Sequence, residues 1–244
     1  MVLPSAGCRW PGCAGLASVR SVPVPLPILY RDQDVVAVDK PAGLSVHRGW
    51  DGDRDVAMTR LRDQLGRHVF PAHRLDRGTS GVLLFALSSE VATALGKIFA
   101  DGRAEKIYLA LVRGVPPASG TIDHPLPPGE DRRGPRVAAV TDFRCIESFG
   151  RYSLVEARPH TGRLHQIRRH LKHIACPIIG DVNYGKGEHN RLFRARHDLH
   201  RMFLHAASLS LPHPTTGRLL EIRAPLPLEL SRVLDGLRPI SSRP

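Results

Sequence analysis

His73-Arg74-Leu75-Asp76-Arg77-Gly78-Thr79-Ser80-Gly81 is followed without a break by Val82-Leu83-Leu84-Phe85-Ala86-Leu87. One carboxylate thus sits between two arginines in a turn-forming segment, directly ahead of a continuous apolar run. Such a run, bounded by turn residues, predicts a central strand covered on both faces. An ionised group at the edge of a core is costly unless it is partnered. Spacing alone leaves three readings of Asp76 open: a surface ion pair, a turn-stabilising carboxylate, or a catalytic carboxylate, since perturbed charges cluster at functional sites.

Outward from this stretch, Ile28–Tyr30 and Val35–Asp39 predict two short strands about the turn Arg31-Asp32-Gln33-Asp34, ended by Lys40-Pro41-Ala42-Gly43. Asp55 is the expected N-cap of a helix carrying Val56, Leu61 and Leu65 and closed by Gly66. Ser88 or Ser89 caps a helix whose Val91, Leu95, Ile98 and Phe99 share one face, with Gly102 as its stop. Lys106–Val112 predicts a strand, 115–136 a loop made basic by Arg132, Arg133 and Arg136, and Val137–Ile146 with Tyr152–Arg158 a pair of strands across Gly150.

Leu164, Ile167, Leu171 and Ile174 form one apolar stripe, predicting a helix over Arg163–Ile174. On that helix Arg163 and Arg168 would flank the stripe, whereas His165, Arg169, Lys172 and His173 would face solvent or a bound partner. Phe203–Leu211 and Leu219–Arg223 suit a hairpin about Pro214-Thr215-Thr216-Gly217, and Pro227 opens a last helix with Leu230, Val233, Leu234 and Leu237. Helices and strands interleave irregularly, which predicts a mixed α/β or α+β fold without strict βαβ repeats.

The 244 residues carry 35 Lys and Arg against 23 Asp and Glu, a formal charge of +12. That excess favours a polyanionic partner, with nucleic acid ahead of a small acidic metabolite. Cys8, Cys13, Cys145 and Cys176 are too few and too scattered for a disulfide scaffold, so a reducing, cytoplasmic setting is expected. Neither the cysteines nor the thirteen histidines show metal-ligand spacing, so no metal and no cofactor is expected. No apolar run is long enough to cross a bilayer, and no membrane or obligate protein partner is expected. Residues 1–26, rich in Pro, Gly, Ser and Ala, read as a flexible tail ahead of a domain spanning 27–240.

His73-Arg74-Leu75-Asp76 with Thr79-Ser80-Gly81 resembles the signature of the RluA-type pseudouridine synthases. Lys106-Ile107-Tyr108-Leu109-Ala110 and Gly162-Arg163-Leu164-His165-Gln166-Ile167-Arg168 are similar to that family's second and third motifs. Further matches are Val38-Asp39-Lys40-Pro41-Ala42-Gly43, Pro177-Ile178-Ile179-Gly180-Asp181 and Leu204-His205-Ala206, in the family's order from about residue 27 to 225. Gly78 departs from the pattern, which commonly has a bulkier or acidic residue or Pro there, and puts the tightness of the turn in question. The resemblance implies a single catalytic domain around a bent, mixed, mainly antiparallel sheet with a cleft along its middle.

It also implies roles. Asp76 would be the nucleophile, Arg168 its cationic partner, and Tyr108 the ring against the target base. Arg74 would fill the space of an extruded nucleotide. Thr79, Ser80 and Gly81 would shape the turn, Ser80 reaching the sugar-phosphate, and Lys40, His47, Arg163, His165 and Gln166 would line the cleft. The reaction breaks the N1–C1′ bond of uridine, rotates the base and rejoins it through C5. Action at the sugar through a glycal-like intermediate is favoured over addition to the base. Val46-His47-Arg48-Gly49-Trp50, 65–73 and Arg168-Arg169-His170-Leu171 resemble the tRNA pseudouridine synthase C subgroup, which implies tRNA, in its acceptor/T-arm region, ahead of rRNA as substrate. A non-catalytic RNA-binding protein on the same scaffold and a hydrolase using Asp76 are the competing readings.

Overall fold

The computed structural model describes residues 24–47, 55–129 and 134–238. Its elements in order are β1 (Ile28–Arg31), β2 (Val35–Lys40), α1 (Ala57–Leu65), β3 (Phe70–Pro71), β4 (Ser80–Ala86), α2 (Ser89–Ala100), β5 (Glu105–Arg113), β6 (Ser119–Asp123), β7 (Val140–Phe149), β8 (Tyr152–Pro159), α3 (Gln166–His173), α4 (Gly187–His197), β9 (Leu204–Pro212), β10 (Leu219–Arg223) and α5 (Leu228–Leu237). Ten strands form one mixed sheet in the order β1-β2-β4-β9-β5-β8-β7-β6, with β10 beside β9 and β3 beside β4. Among the described residues every strand pairing is antiparallel except β4 with β9. The expected α+β class and mainly antiparallel mixed sheet are therefore present. No described helix is long and apolar enough to cross a membrane.

All seven residues of β4 are buried, and their alternation divides the core. Leu83 and Phe85 join Val36, Val38, Tyr108, Ala110 and Val155 on one face, where α1 supplies Leu61 and α3 supplies Ile167 and Leu171. Val82, Leu84 and Ala86 join Val35 and Ala37 on the other face, under Leu95 and Ile98 of α2. Farther along that second face, Leu111 and Leu154 meet Phe193 of α4 and Leu230, Val233 and Leu234 of α5.

Several local expectations are corrected. Asp55 does not cap α1; its carboxylate pairs with Arg60, while the cap position falls to Val56, whose amide and carbonyl both bond the Thr59 hydroxyl. Within the expected loop 115–136 lies β6, paired along its length with β7, because that edge of the sheet was open for backbone pairing. The helix expected from Arg163 begins only at Gln166, since His165 takes a left-handed conformation at φ 53°. At the end of the expected tail, Leu26 is buried and exchanges backbone hydrogen bonds with the Gln64 side chain at 2.9 and 3.0 Å. Residues 1–23, including Cys8 and Cys13, and Arg48-Gly49-Trp50, Arg132 and Arg133 lie outside the described residues.

The parallel contact of β4 with β9 is short, Ser80 opposite His205 and Gly81 opposite Ala206. Beyond it the same side of β9 is taken by β10, so β4 parts from β9. Gly81 makes this junction possible. Its φ is +110°, and a Cβ there would lie 2.2 Å from the Ala206 carbonyl oxygen, inside backbone that cannot yield. Gly81→Ala is expected to cost roughly 2–5 kcal/mol from strain and overpacking together. Urea unfolding checks this; a loss below about 1 kcal/mol would mean the strands can part freely.

Candidate active site

The turn carrying Asp76 is built from its own backbone and from a second loop laid against it. The Thr79 amide donates to the Asp76 carbonyl at 3.0 Å, closing the turn. Gly43 donates its amide to the Arg77 carbonyl at 2.8 Å, and Arg77 Nε returns a bond to the Gly43 carbonyl at 2.9 Å. Lys40 locks the two loops from beneath: its Nζ donates to the carbonyls of Pro41, Leu44 and Arg77 at 2.9, 2.8 and 3.4 Å. This side chain is 0% exposed, so Lys40 braces the turn and does not line the cleft. Burial pushes its pKa down to about 7, Arg201 adding to the fall while Asp76 and Asp39 oppose it. Gly78 leaves room for a Cβ, its nearest neighbour being the Met202 side chain at 3.6 Å. The departure from the family pattern therefore does not arise from a steric bar.

Ser80 and Gly81 face the sheet junction. Arg201 Nη2 donates to Ser80 Oγ at 2.8 Å, Ser80 Oγ meets His205 Nδ1 at 2.9 Å, and His205 Nε2 meets the Ala224 carbonyl at 3.3 Å. One proton per bond suffices when His205 is neutral: Arg201 donates to Ser80, Ser80 to Nδ1, and Nε2–H to the carbonyl. Burial favours that form, pushing the imidazole down to about 4. Arg201 also holds Glu229 of α5 at 2.8 Å. Ser80 is thus committed to this buried chain and is not free to meet a sugar-phosphate.

On the other side of Asp76 stands Arg168, delivered by the first helical turns of α3. Its Nη1 lies 3.1 Å from Asp76 Oδ2. Its Nε and Nη2 grip Asp181 Oδ2 and Oδ1 at 2.7 and 2.9 Å, a two-pronged pair. Asp181 is held in turn by the amides of Asn183 and Tyr184 at 2.9 and 3.0 Å on Oδ1. Although its burial disfavours the charge, the Arg168 guanidinium and these two amides hold its carboxyl below the ordinary value. Arg168 is raised by Asp181 and then Asp76, against the opposing effect of its own burial. The Tyr184 ring lies under the guanidinium at 5.0 Å.

The left-handed turn at His165 brings that ring inward, with Nε2 3.9 Å from Asp76 Oδ2 and Nδ1 3.2 Å from the Tyr184 hydroxyl. Arg169, expected to face solvent, is buried: it bonds Tyr184 Oη at 3.0 Å and the carbonyls of Pro127 and Gly129 at 3.1 Å each. The loop ahead of residue 130 folds over that side of α3, which a stripe of apolar residues cannot foretell. Asp181, Tyr184 and Arg201 escaped the sequence reading as site residues. Asp181 lies within one of the quoted motifs, but only its two-pronged contact assigns it a partner.

Two adjoining clefts, of about 660 and 860 Å³, share Arg74, Leu75, Asp76, His165 and Arg168. The first is also lined by Thr79, Tyr108, Arg163, Gln166, Ile167 and Leu204; the second by His47, Arg77, Val182, His200 and Arg201 among others. Tyr108 faces the first because β9 carries an extra residue, Ala207, between its pairings with Ile107 and Tyr108. The ring body belongs to the core. Burial, and then the Asp76 charge, push its phenol pKa well upward, so it is protonated at neutral pH. Arg74 is exposed at the rim where the clefts meet. Gln166 is buried and bonded to Thr161, Arg163, Val140 and Thr141, holding the loop ahead of α3, while Arg163 is exposed with Nε on the Ala138 carbonyl at 3.1 Å. His47 is exposed at the second cleft. Among the described residues, Asp76 and Asp181 are the carboxylates lining these clefts, and Asp181 is occupied by Arg168. That leaves a hydrolase without a second free acid.

Two consequences concern stability. Asp181→Asn leaves Arg168 buried without its main counter-charge and is expected to cost about 3–5 kcal/mol in urea unfolding; an unchanged midpoint would show that Asp76 alone can hold the guanidinium. For His205, the folded value of about 4 lies below the ordinary 6.5. The unfolded chain therefore binds more protons between these values, so its contribution is complete above about 6.5 and is lost as pH falls toward 4. Unfolding midpoints should fall across that window, and His205→Gln should flatten the decline; an equally steep decline in the variant would remove His205 from the acid response.

Comparison with known proteins identifies the family. A family model described as RNA pseudouridylate synthase matches residues 34–173. The chain is 45% identical to the tRNA pseudouridine synthase C of Vibrio parahaemolyticus, across 83% of this chain and 91% of that one. It is 42% identical to the tRNA pseudouridine synthase C of Haemophilus influenzae, across 86% and 97%. Among solved structures it is similar to human RNA pseudouridylate synthase domain containing 4, with a TM-score of 0.71 at 28% identity over 86% of this chain and 92% of that one. A turn-borne aspartate beside a buried arginine, on a sheet shared with such structures and in a sequence matched over most of its length, places the chain in the RNA pseudouridylate synthase family, RluA type, and so among the isomerases.

Proposed function

We propose that this enzyme converts a uridine of tRNA, in the acceptor/T-arm region, to pseudouridine, with Asp76 as the nucleophile. The observation that carries the reading is the 3.1 Å contact between Arg168 and Asp76 at the junction of the two clefts, with the remaining guanidinium nitrogens held by Asp181. A carboxylate attacks through a free oxygen, and Arg168 sets a fixed positive charge against one Asp76 oxygen, Oδ2. The identity to tRNA-modifying relatives and the positive charge support tRNA as the substrate. Such a substrate belongs in the cytoplasm, and residues 27–240 then act as one catalytic domain.

The target nucleotide leaves its stack and enters the first cleft, between Tyr108 and the apolar edge made by Ile167 and Leu204. Arg74, at the rim, takes the vacated position. Asp76 attacks the sugar: a carboxylate oxygen bonds C1′ as the N1–C1′ bond breaks, the electron pair leaving on the uracil, which the nearby Arg168 and His165 side chains stabilise. The base turns about in the cleft and C5 bonds C1′ as the carboxylate is released. The C5 proton then leaves. With a protonated phenol, Tyr108 can accept it only while passing its own proton on, and Asp76 is the neighbouring base. The net change is internal to the nucleoside, so no redox partner or energy source is consumed.

Asp76→Asn, which keeps the shape and removes the charge, should lower turnover by roughly 10⁴-fold or more while RNA affinity stays within about threefold of wild type (under 1 kcal/mol). The assay is tritium release from C5-tritiated uridine in tRNA and, separately, in rRNA. Release from rRNA alone would move the substrate to the ribosome. Release from neither, with binding intact, would leave an RNA-binding protein on this scaffold, and full activity in the variant would refute the nucleophile.

A further inference from the structure

The excursion between α3 and β9 is larger than the placement of Asp181 requires. Both of its ends line the second cleft: Asp181, Val182 and Asn183 on the way into α4, and His200, Arg201 and Met202 on the way out. The helix therefore stands beside that cleft. Its orientation is set by Asn190, whose Oδ1 accepts from the Gly180 amide at 2.8 Å and whose Nδ2 donates to the Asp181 carbonyl at 2.9 Å. Asn190 and Arg194 lie one turn apart on one face of α4, with Lys186 at its N-cap a further four residues back, and Asn190 faces the cleft-lining loop. Lys186 and Arg194 are exposed on either side of Asn190. Beside them Val182 is 83% exposed, an apolar side chain at the cleft wall two residues from the start of the Tyr184–Lys186 approach to the helix. From Val182 to Met202 the chain carries five Lys or Arg and two acidic residues.

We propose that the second cleft and the Lys186–Asn190–Arg194 face of α4 form a docking track for the RNA strand that flanks the target uridine. The proposal rests on the RNA-modifying reading above and adds where the rest of the substrate lies. A nucleotide extruded into the first cleft leaves its neighbour on the same strand one step away, across the ridge made by Arg74, Asp76 and Arg168. The second cleft, of about 860 Å³, has the size of a small-molecule site and cationic side chains at its rim. The backbone leaving it meets Lys186 and then Arg194, about 12 Å apart at the 1.5 Å rise of a helix, which is two phosphate steps of an extended strand. Val182 offers the adjacent base an apolar contact, and Asn190 ties the track to the carbonyl of the aspartate that orients Arg168.

The test uses full-length protein, an unmodified tRNA transcript, filter binding over a salt series, and steady-state tritium release. The Lys186→Glu/Arg194→Glu double variant is compared with wild type and with Arg218→Glu at the tip of the β9–β10 turn. Expected for the double variant are a KM and Kd raised at least tenfold, kcat within twofold of wild type, and a log–log salt slope shallower by about 1.4, as two single-strand phosphate contacts are lost; Arg218→Glu leaves all three unchanged. Val182→Asp should raise KM with the slope nearly intact. An unchanged Kd and slope in the double variant, with wild type binding RNA, overturns the docking track alone. A fall in kcat at constant KM also overturns it, because the face would then act on the Asp181 brace and not on RNA. Failure of wild type to bind the transcript overturns this proposal together with the tRNA reading.

Discussion

One guanidinium shared between two carboxylates is the constraint around which this site is arranged. Asp181, fully buried, takes two prongs of Arg168, and the third nitrogen is left pointing at Asp76. Had Arg168 faced Asp76 alone, its long side chain could follow the carboxylate or swing to solvent. Fixed by Asp181, and by the Tyr184 ring beneath it, it is a cation in a set place. Placing such a pair in a partly dry site costs desolvation, and the amides of Asn183 and Tyr184 offset part of that cost at Asp181. If Asp76 is the nucleophile as proposed, its electrostatic support is thus prepared before substrate arrives.

The Asp76 turn is equally constrained from below, by neutral and cationic groups of which Arg201 alone reaches a cleft wall. Lys40 ties three carbonyls of two loops, and the Arg201–Ser80–His205 chain ties the end of the turn to β9. These buried side chains look wasteful as core residues. They serve because the turn has few apolar contacts of its own, so its position must come from directed bonds, each satisfied. The sheet supplies the rest: β4 and β9 meet over two residues at Gly81 and then part, and Ala207 re-aims the Tyr108 partner strand. A site built from a turn, a bulge and a short parallel contact is held by irregularities of one rigid sheet.

Much of the fold was legible because its strands and helices are locally consistent. The wholly apolar Val82–Leu87 could hardly be anything but a central strand. The spacing of Val91, Leu95, Ile98 and Phe99 placed α2 correctly, with Ser88 as its cap. Where the reading failed, the local signal was either absent or misleading. The β6 strand carries Ser, Gly, Thr and Asp and forms because β7 offers unpaired backbone. α4 has a weak apolar face and packs chiefly through His189 and Phe193. Arg169 looks exposed by its place opposite the α3 stripe, yet a loop some forty residues earlier covers it.

The sequence by itself determined the core strands, most helices, the family, and three side chains, Asp76, Tyr108 and Arg168, that the fold gathers about one cleft. These follow from periodicity and ordered motifs, which are properties of neighbours along the chain. Tertiary structure alone decided that Lys40, Ser80 and Gln166 are braces, and that Asp181 and Tyr184 fix Arg168. It alone turned His165 inward and set α4 beside a second cleft. The physical reason is that a polar side chain's role depends on which partner reaches it: the bond that ties Lys40 to the second loop comes from 37 residues away, and those of Ser80 from 121 and 125. Apolar pattern specifies a face; only the folded chain specifies who stands opposite it.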